Sequence, residues 1–130
     1  MSYTQSELED LAQRYTDAWN SKIPEQVAAF HTVTSKNVVN RGEPYLGQEG
    51  VTEMAAEFHA DVPDLHLVCD GIRGAGARVI YMWTFTGHHA KTGNPLKVPG
   101  WLEWDMDADM MFTLSEGWFD GEDYDRQIAG

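Results

Sequence analysis

Leu65-His66-Leu67-Val68-Cys69-Asp70 is the point at which the pattern of this chain changes. Before it, apolar residues recur every three or four positions. Through it, Leu65, Leu67 and Cys69 alternate with His66, Val68 and Asp70, the period of a strand with one buried face. The glycine-rich segment Gly71–Gly76 reads as a hairpin connection into Val79–Thr86, a β-branched and aromatic run. A Gly/Asn/Pro loop then leads to a strand over Val98–Met106. Asp107-Ala108-Asp109 reads as a turn before a last strand over Met111–Phe119, and Gly121–Ile128 as a short final helix.

Upstream of Leu65 the period is helical. Ser6, followed three residues later by Glu9, has the form of a capping box, and Leu8, Leu11, Tyr15, Ala18 and Trp19 follow at helical spacing. This predicts a first helix near 6–20. Pro24 suits a first helical position and opens a shorter helix carrying Val27 and Phe30, before the polar stretch Thr32–Ser35. Val38 and Val39 inside Asn37–Asn40 read as a brief strand, ended by Gly42 and Pro44. Val51, Met54, Ala55 and Phe58 mark a third helix that stops before Pro63. Helices followed by a consecutive antiparallel meander indicate an α+β fold, with three N-terminal helices on one face of a curved antiparallel sheet.

A chain of 130 residues is the size of one domain, so residues 1–130 are expected to form a single unit. With 42% apolar and 12% aromatic residues it can build a core without disulfide or metal staples. Nine basic against 21 acidic residues give a net charge of −12, which repels nucleic-acid phosphates and anionic lipid surfaces. The single Cys69 has no partner for an internal disulfide. The five histidines show none of the spacings that gather metal ligands on one element, so no metal or cofactor is expected. Asp105, Asp107, Asp109 and Glu116 fall at positions 1, 3, 5 and 12 of a calcium-loop pattern, but Met110 stands where that loop needs glycine; a β-turn with solvated acids accounts for them better. The opening MSYTQSELED lacks the basic and apolar regions of a secretory signal, and no run approaches 18 apolar residues. A cytoplasmic location is expected.

Three stretches carry a family resemblance: Arg14-Tyr15 through Ala18-Trp19-Asn20, then Val27-Ala28-Ala29-Phe30, then Gly47 ahead of the third helix. They resemble the opening of the nuclear-transport-factor-2-like superfamily. Tyr81–Gly87, the Glu103-Trp104 pair, and Phe119-Asp120 followed by Tyr124–Gln127 are similar to its SnoaL-like polyketide cyclase branch. The resemblance implies a cone-shaped, barrel-like sheet wrapped around helices, an apolar pocket for a small apolar or aromatic ligand, cofactor-free acid/base chemistry such as cyclisation or isomerisation, and a homodimer.

Carried over position by position, the resemblance puts Gly117 where the cyclases have their acid/base Asp, Glu103 where they have a His, and Asn40 at a pocket Asn. The ketosteroid isomerase base also falls on Asn40, and its oxyanion-binding Tyr on Tyr15. Glu103 is therefore the expected proton shuttle, with Asn40 and Tyr15 donating hydrogen bonds to a developing oxyanion. Alternation puts Glu103 on one strand face with Trp101 and Asp105, and Leu102, Trp104 and Met106 on the other. The acid/base role requires that the first face look inward. Trp19, His31, Trp83, Trp101 and Trp118 are the expected ligand contacts. A non-catalytic binding or interaction module is the alternative, favoured by Gly117 and Asn40 at the two positions that need an acid and a base.

Overall fold

The computed structural model describes residues 3–130. Its elements are α1 (Gln5–Asn20), α2 (Pro24–Ala28), β1 (His31–Val39), β2 (Tyr45–Leu46), α3 (Gly47–Asp61), β3 (His66–Ala75), β4 (Arg78–His88), β5 (Pro95–Met106), β6 (Phe112–Phe119) and α4 (Gly121–Ala129). The strands form one six-stranded curved sheet in the order β2-β1-β6-β5-β4-β3. The fold is α+β as expected. The meander β3-β4-β5-β6 is antiparallel throughout, but β1 lies parallel to β6, with Asn37 opposite Ser115 and Val39 opposite Gly117. The sheet is open rather than a closed barrel, with β2 and β3 at its edges.

α1 starts at Gln5, with its cap two residues earlier than the Ser6 expected. Thr4 is the cap: its Oγ1 accepts from Glu7 N at 3.1 Å, and Glu7 Oε1 accepts from Thr4 N at 2.9 Å. Two orphan donors of the first turn are thereby satisfied by one reciprocal pair. Leu8, Leu11, Tyr15, Ala18 and Trp19 are all buried, so the helical stripe read from the sequence is the one that packs on the sheet.

Two segments differ from expectation. Thr32–Ser35 is strand rather than connection: it forms the irregular part of β1, between the pairing of His31 with Phe112 and the regular ladder that begins at Lys36 opposite Leu114. Gly71–Gly74 lies inside β3, which runs to Ala75 across a register shift between Cys69 and Gly71; the tight turn is at Gly76, with φ 63°. The last turn of the meander is held by Asp107, whose Oδ1 accepts from Asp109 N at 2.9 Å and Met111 N at 3.0 Å, while Met110 takes the left-handed conformation at φ 60°.

The core fills the space between helices and sheet. Its densest part is an aromatic block: Trp104 stacks on Phe112 with centroids 4.1 Å apart and on Tyr81 at 5.2 Å, and Tyr15 meets Trp104 edge-on at 4.9 Å. Tyr81 Oη and Thr16 Oγ1 are 2.6 Å apart, so the one polar atom that Tyr81 brings inward is paired.

Candidate functional site

Beside the aromatic block, the inner face of the sheet and the two long helices leave a cavity of about 70 Å³. α1 contributes Tyr15 and Trp19, α3 Met54 and Phe58, β4 Trp83 and Phe85, and β6 Gly117 and Phe119; Asn37 and Val39 come from β1, Leu102 from β5, Leu67 from β3 and Leu65 from the residue just before it. Each strand presents alternate residues, so the period-2 pattern of the sequence builds this wall directly. Trp83 lies against the sheet because β5 has glycine opposite it: a Cβ at Gly100 would stand 2.4 Å from the Trp83 ring and from the Trp118 carbonyl oxygen.

The wall is apolar and its polar groups are few. Tyr15 is 2% exposed, and burial pushes its hydroxyl well above the ordinary tyrosine range, offset in part by the Trp19 side chain, so it stays protonated. Asn37 is 3% exposed, and its Nδ2 has no hydrogen-bond partner. No Asp, Glu, His, Lys or Arg is among the lining residues. His59 stands behind Trp19, its ring 5.3 Å from the indole and its Nε2 3.1 Å from the Trp19 carbonyl oxygen; burial holds its pKa below the usual value.

Of the residues expected from the sequence, Tyr15, Trp19 and Trp83 line the cavity. The others do not. Glu103 projects from the outer face of β5, because the inward set on that strand is Leu96, Val98, Leu102 and Trp104. There its Oε2 accepts from Trp101 Nε1 at 3.1 Å, and with Asp105 and Glu116 it surrounds Arg78, which donates to Glu116 Oε1 at 2.5 Å. Trp101 and Trp118 stack on the same outer face at 6.2 Å, with the Arg41 guanidinium 5.5 Å over Trp118. Asn40 is an exposed turn residue with φ 48°, whose Oδ1 accepts from Phe119 N at 2.9 Å and so ties off the β1–β6 ladder. His31 is 1% exposed but packs edge-on against Phe112 at 5.1 Å, outside the cavity wall.

Asn37 lies in the brief strand expected over Asn37–Asn40, but the resemblance assigns the pocket amide to Asn40 instead. Its signal was available: Asn37 and Val39 are two apart and share a strand face. Gly117, by contrast, sits on the wall where the resemblance places an acid, and a Cβ there would point at Leu102 Cδ2, 2.9 Å away.

The model of the SnoaL-like polyketide cyclase family matches residues 9–100. The chain belongs to that family. The SnoaL-like fold recurs in solved structures of low sequence identity. A protein of Catenulispora acidiphila with a ketosteroid isomerase-like fold, in complex with trimethylamine, is 16% identical over 92% of each chain, with a TM-score of 0.84. TsrD of Streptomyces laurentii is 18% identical over 98% of each chain, with a TM-score of 0.82. TerC, co-crystallised with polyporic acid, is 17% identical over 94% of this chain and 98% of its own, with a TM-score of 0.79. Among curated proteins, none matches the chain. Among the described residues of this SnoaL-like protein no group of three or more His, Cys, Asp or Glu is placed to hold a metal ion, and no helix is long and apolar enough to cross a membrane.

Proposed function

We propose that this SnoaL-like protein binds a small, neutral, largely apolar cyclic ligand in its cavity and does not itself move a proton. One observation carries this reading: the wall holds no carboxylate or imidazole, and glycine stands at the position where the resemblance calls for the acid. General acid/base catalysis needs a group that exchanges a proton near neutral pH within reach of the substrate. Tyr15, the one hydroxyl on the wall, is held protonated by burial. The small molecules bound in two structures of the same fold support ligand binding as the use of such a cavity.

Titration calorimetry with one- and two-ring aromatic compounds tests this. Affinity is expected to stay within about twofold between pH 5 and 8, and Glu103→Gln is expected to leave it unchanged. Turnover of any bound compound, lost in the Glu103→Gln protein, would overturn the reading.

A second copy of the chain is the proposed partner. Trp101 at 42% exposure, Met82 at 37% and Val68 at 47% lie on the outer face of adjacent strands, beside the Trp101–Trp118 stack. Exposed apolar side chains grouped in this way favour an interface. Light scattering at micromolar concentration is expected to give twice the 14.6 kDa chain mass, reduced to a single mass by Trp101→Glu. A single mass for the wild type would reject it.

A further inference from the structure

We infer that α4 is a gate: the helix closes one end of the cavity and lifts as a unit about Asp120 and Gly121 to let the ligand pass, while α1, α3 and the sheet stay in place. The inference rests on the binding role proposed above and names the route by which the cavity is filled.

The cavity has two ends. One is stopped by the aromatic block, because Tyr15 lines the cavity and also meets Trp104 at 4.9 Å and Tyr81 at 5.3 Å. The other is rimmed by Phe58, Phe85 and Phe119. Tyr124 of α4 lies across this rim, its ring 5.7 Å from Phe119 and 6.3 Å from Phe85. Its hydroxyl is raised by burial first and then by the nearby charges of Asp61 and Asp125, so it reaches over to the C-terminal end of α3. One side chain of α4 thus spans the gap between sheet and helix.

What holds α4 down is slight. None of its residues is buried, and its contact with the core is through Tyr124 and Ile128, both only partly covered. β6 ends opposite Gly100, so β5 has no strand partner on that side from Pro95 to Pro99. The Gln127 amide takes the strand's place: it accepts from Lys97 N at 2.7 Å and donates to Lys97 O at 2.9 Å. Asn94 Nδ2 adds a bond to Ile128 O at 2.6 Å. Water can replace all three on opening. Asp61 and Asp125 both stand near the Tyr124 hydroxyl, so closure brings like charges together. α1, by contrast, buries seven residues and is tied to the edge of β3 at both its ends, by Gln5 on Ile72 O and by Asn20 on both backbone groups of Leu67. Asn40 holds the end of β6 through Phe119 N, independently of α4. A segment with few buried contacts and exposed hydrogen bonds opens far more readily than the whole fold. Of the elements around the cavity, α4 is that segment.

Gating has a kinetic signature. When the closed form dominates, entry and exit pass through the same minor open state, so a looser latch speeds both by one factor and leaves Kd unchanged. Asn94→Ala removes its bond from the loop side and keeps the sequence of α4 intact; Gln127→Ala removes the two on Lys97. With toluene and indane as probes, on- and off-rates read by stopped-flow tryptophan fluorescence are expected to rise together by about fivefold or more in each variant, with Kd within about twofold of the wild type. Without a probe, amide hydrogen exchange over Tyr124–Ala129 should quicken by the same factor as the on-rate, while that of α1 stays as it was. On-rates indifferent to both variants would overturn the gate and leave the binding role standing. So would a weaker Kd carried by the off-rate alone, which would make α4 a fixed piece of wall, or exchange in α4 that does not follow the on-rate. If neither probe binds the wild type, the binding role fails and the gate with it.

Discussion

Trp104→Ala should lower the stability of the folded chain by about 3–5 kcal/mol, the range for removing a large aromatic from a packed core. Its melting temperature should fall by more than about 10 °C. Trp104 is fully buried and stacked between Phe112 and Tyr81, with Tyr15 on its edge, so its removal opens a void that three rings would have to collapse to fill. Its indole Nε1 has no hydrogen-bond partner, and Trp104→Phe, which deletes that orphan donor along with part of the ring, should recover most of the loss. Trp101→Ala, three positions away on the same strand, should cost the monomer about 1 kcal/mol or less, because that ring lies on the outer face at 42% exposure. Denaturant unfolding of the three variants reads the orientation of β5 directly. Equal losses for Trp101→Ala and Trp104→Ala would mean that the strand does not present Trp104 inward, and the assignment of Glu103 to the outer face would fall with it.

Acidification from pH 7.5 to pH 4 should cost the protein about 3 kcal/mol through His31 alone. Burial, with no partner for Nδ1, drives the pKa of this imidazole from its ordinary 6.5 down to about 4. In the folded chain it therefore stays neutral over a range in which the unfolded chain takes up a proton. Between pH 6.5 and 4 the unfolded state binds more protons, so stability falls as pH falls; above pH 6.5 both states are neutral and the residue contributes no pH dependence. The gap between 6.5 and about 4 corresponds to about 3 kcal/mol. Urea unfolding of the wild type and His31→Leu at pH 7.5, 5.5 and 4 isolates this contribution from that of the carboxylates, because only the difference between the two proteins counts. A difference that stays constant across those three conditions would show that the imidazole is solvated or paired in the folded state.

The two predictions draw on opposite ends of what could be read from the residues. The helical stripe from Leu8 to Trp19 and the alternation through Leu65–Cys69 are local patterns, set by which residues a single element must bury, and both survive in the structure. The length of β1 is not local. Thr32-Val33-Thr34-Ser35 has the composition of a connection and is carried within the strand by the pairings on either side of it, His31 with Phe112 and Lys36 with Leu114, made to a strand some eighty residues away in sequence. The orientation of β5 is a subtler case. Trp101 and Trp104 are both aromatic and both plausible inward residues, so alternation offered two self-consistent faces. What decides between them is Gly100, which leaves room for Trp83, and Leu96 and Val98, which share the inward parity of Trp104. Glu103 takes the outward parity with Trp101, where Arg78 meets it. Asn40 was read from its likeness to a pocket residue, yet its place at the end of a strand, before Gly42 and Pro44, is a turn position, and the structure uses its side chain to tie that turn to Phe119.

The parallel pairing of β1 with β6 also dictates when the cavity can exist. Synthesis proceeds from the N-terminus at about 5–20 residues per second, and domains fold as units when their last partner arrives. A nascent chain that has released residues up to Met106 holds α1, α2 and α3, β1, β2 and three strands of the meander. Both the β1 edge and the β5 edge still wait for the same missing strand. Until Phe112–Phe119 emerges, Asn37, Val39 and Leu102 face solvent and two strand edges stand open to any extended segment nearby. The interval is on the order of seconds, long against hydrophobic collapse, which takes microseconds. The strand that completes the binding wall is thus also the one that ends the chain's exposure to mispairing, and a ligand present during synthesis can act only after that strand has docked.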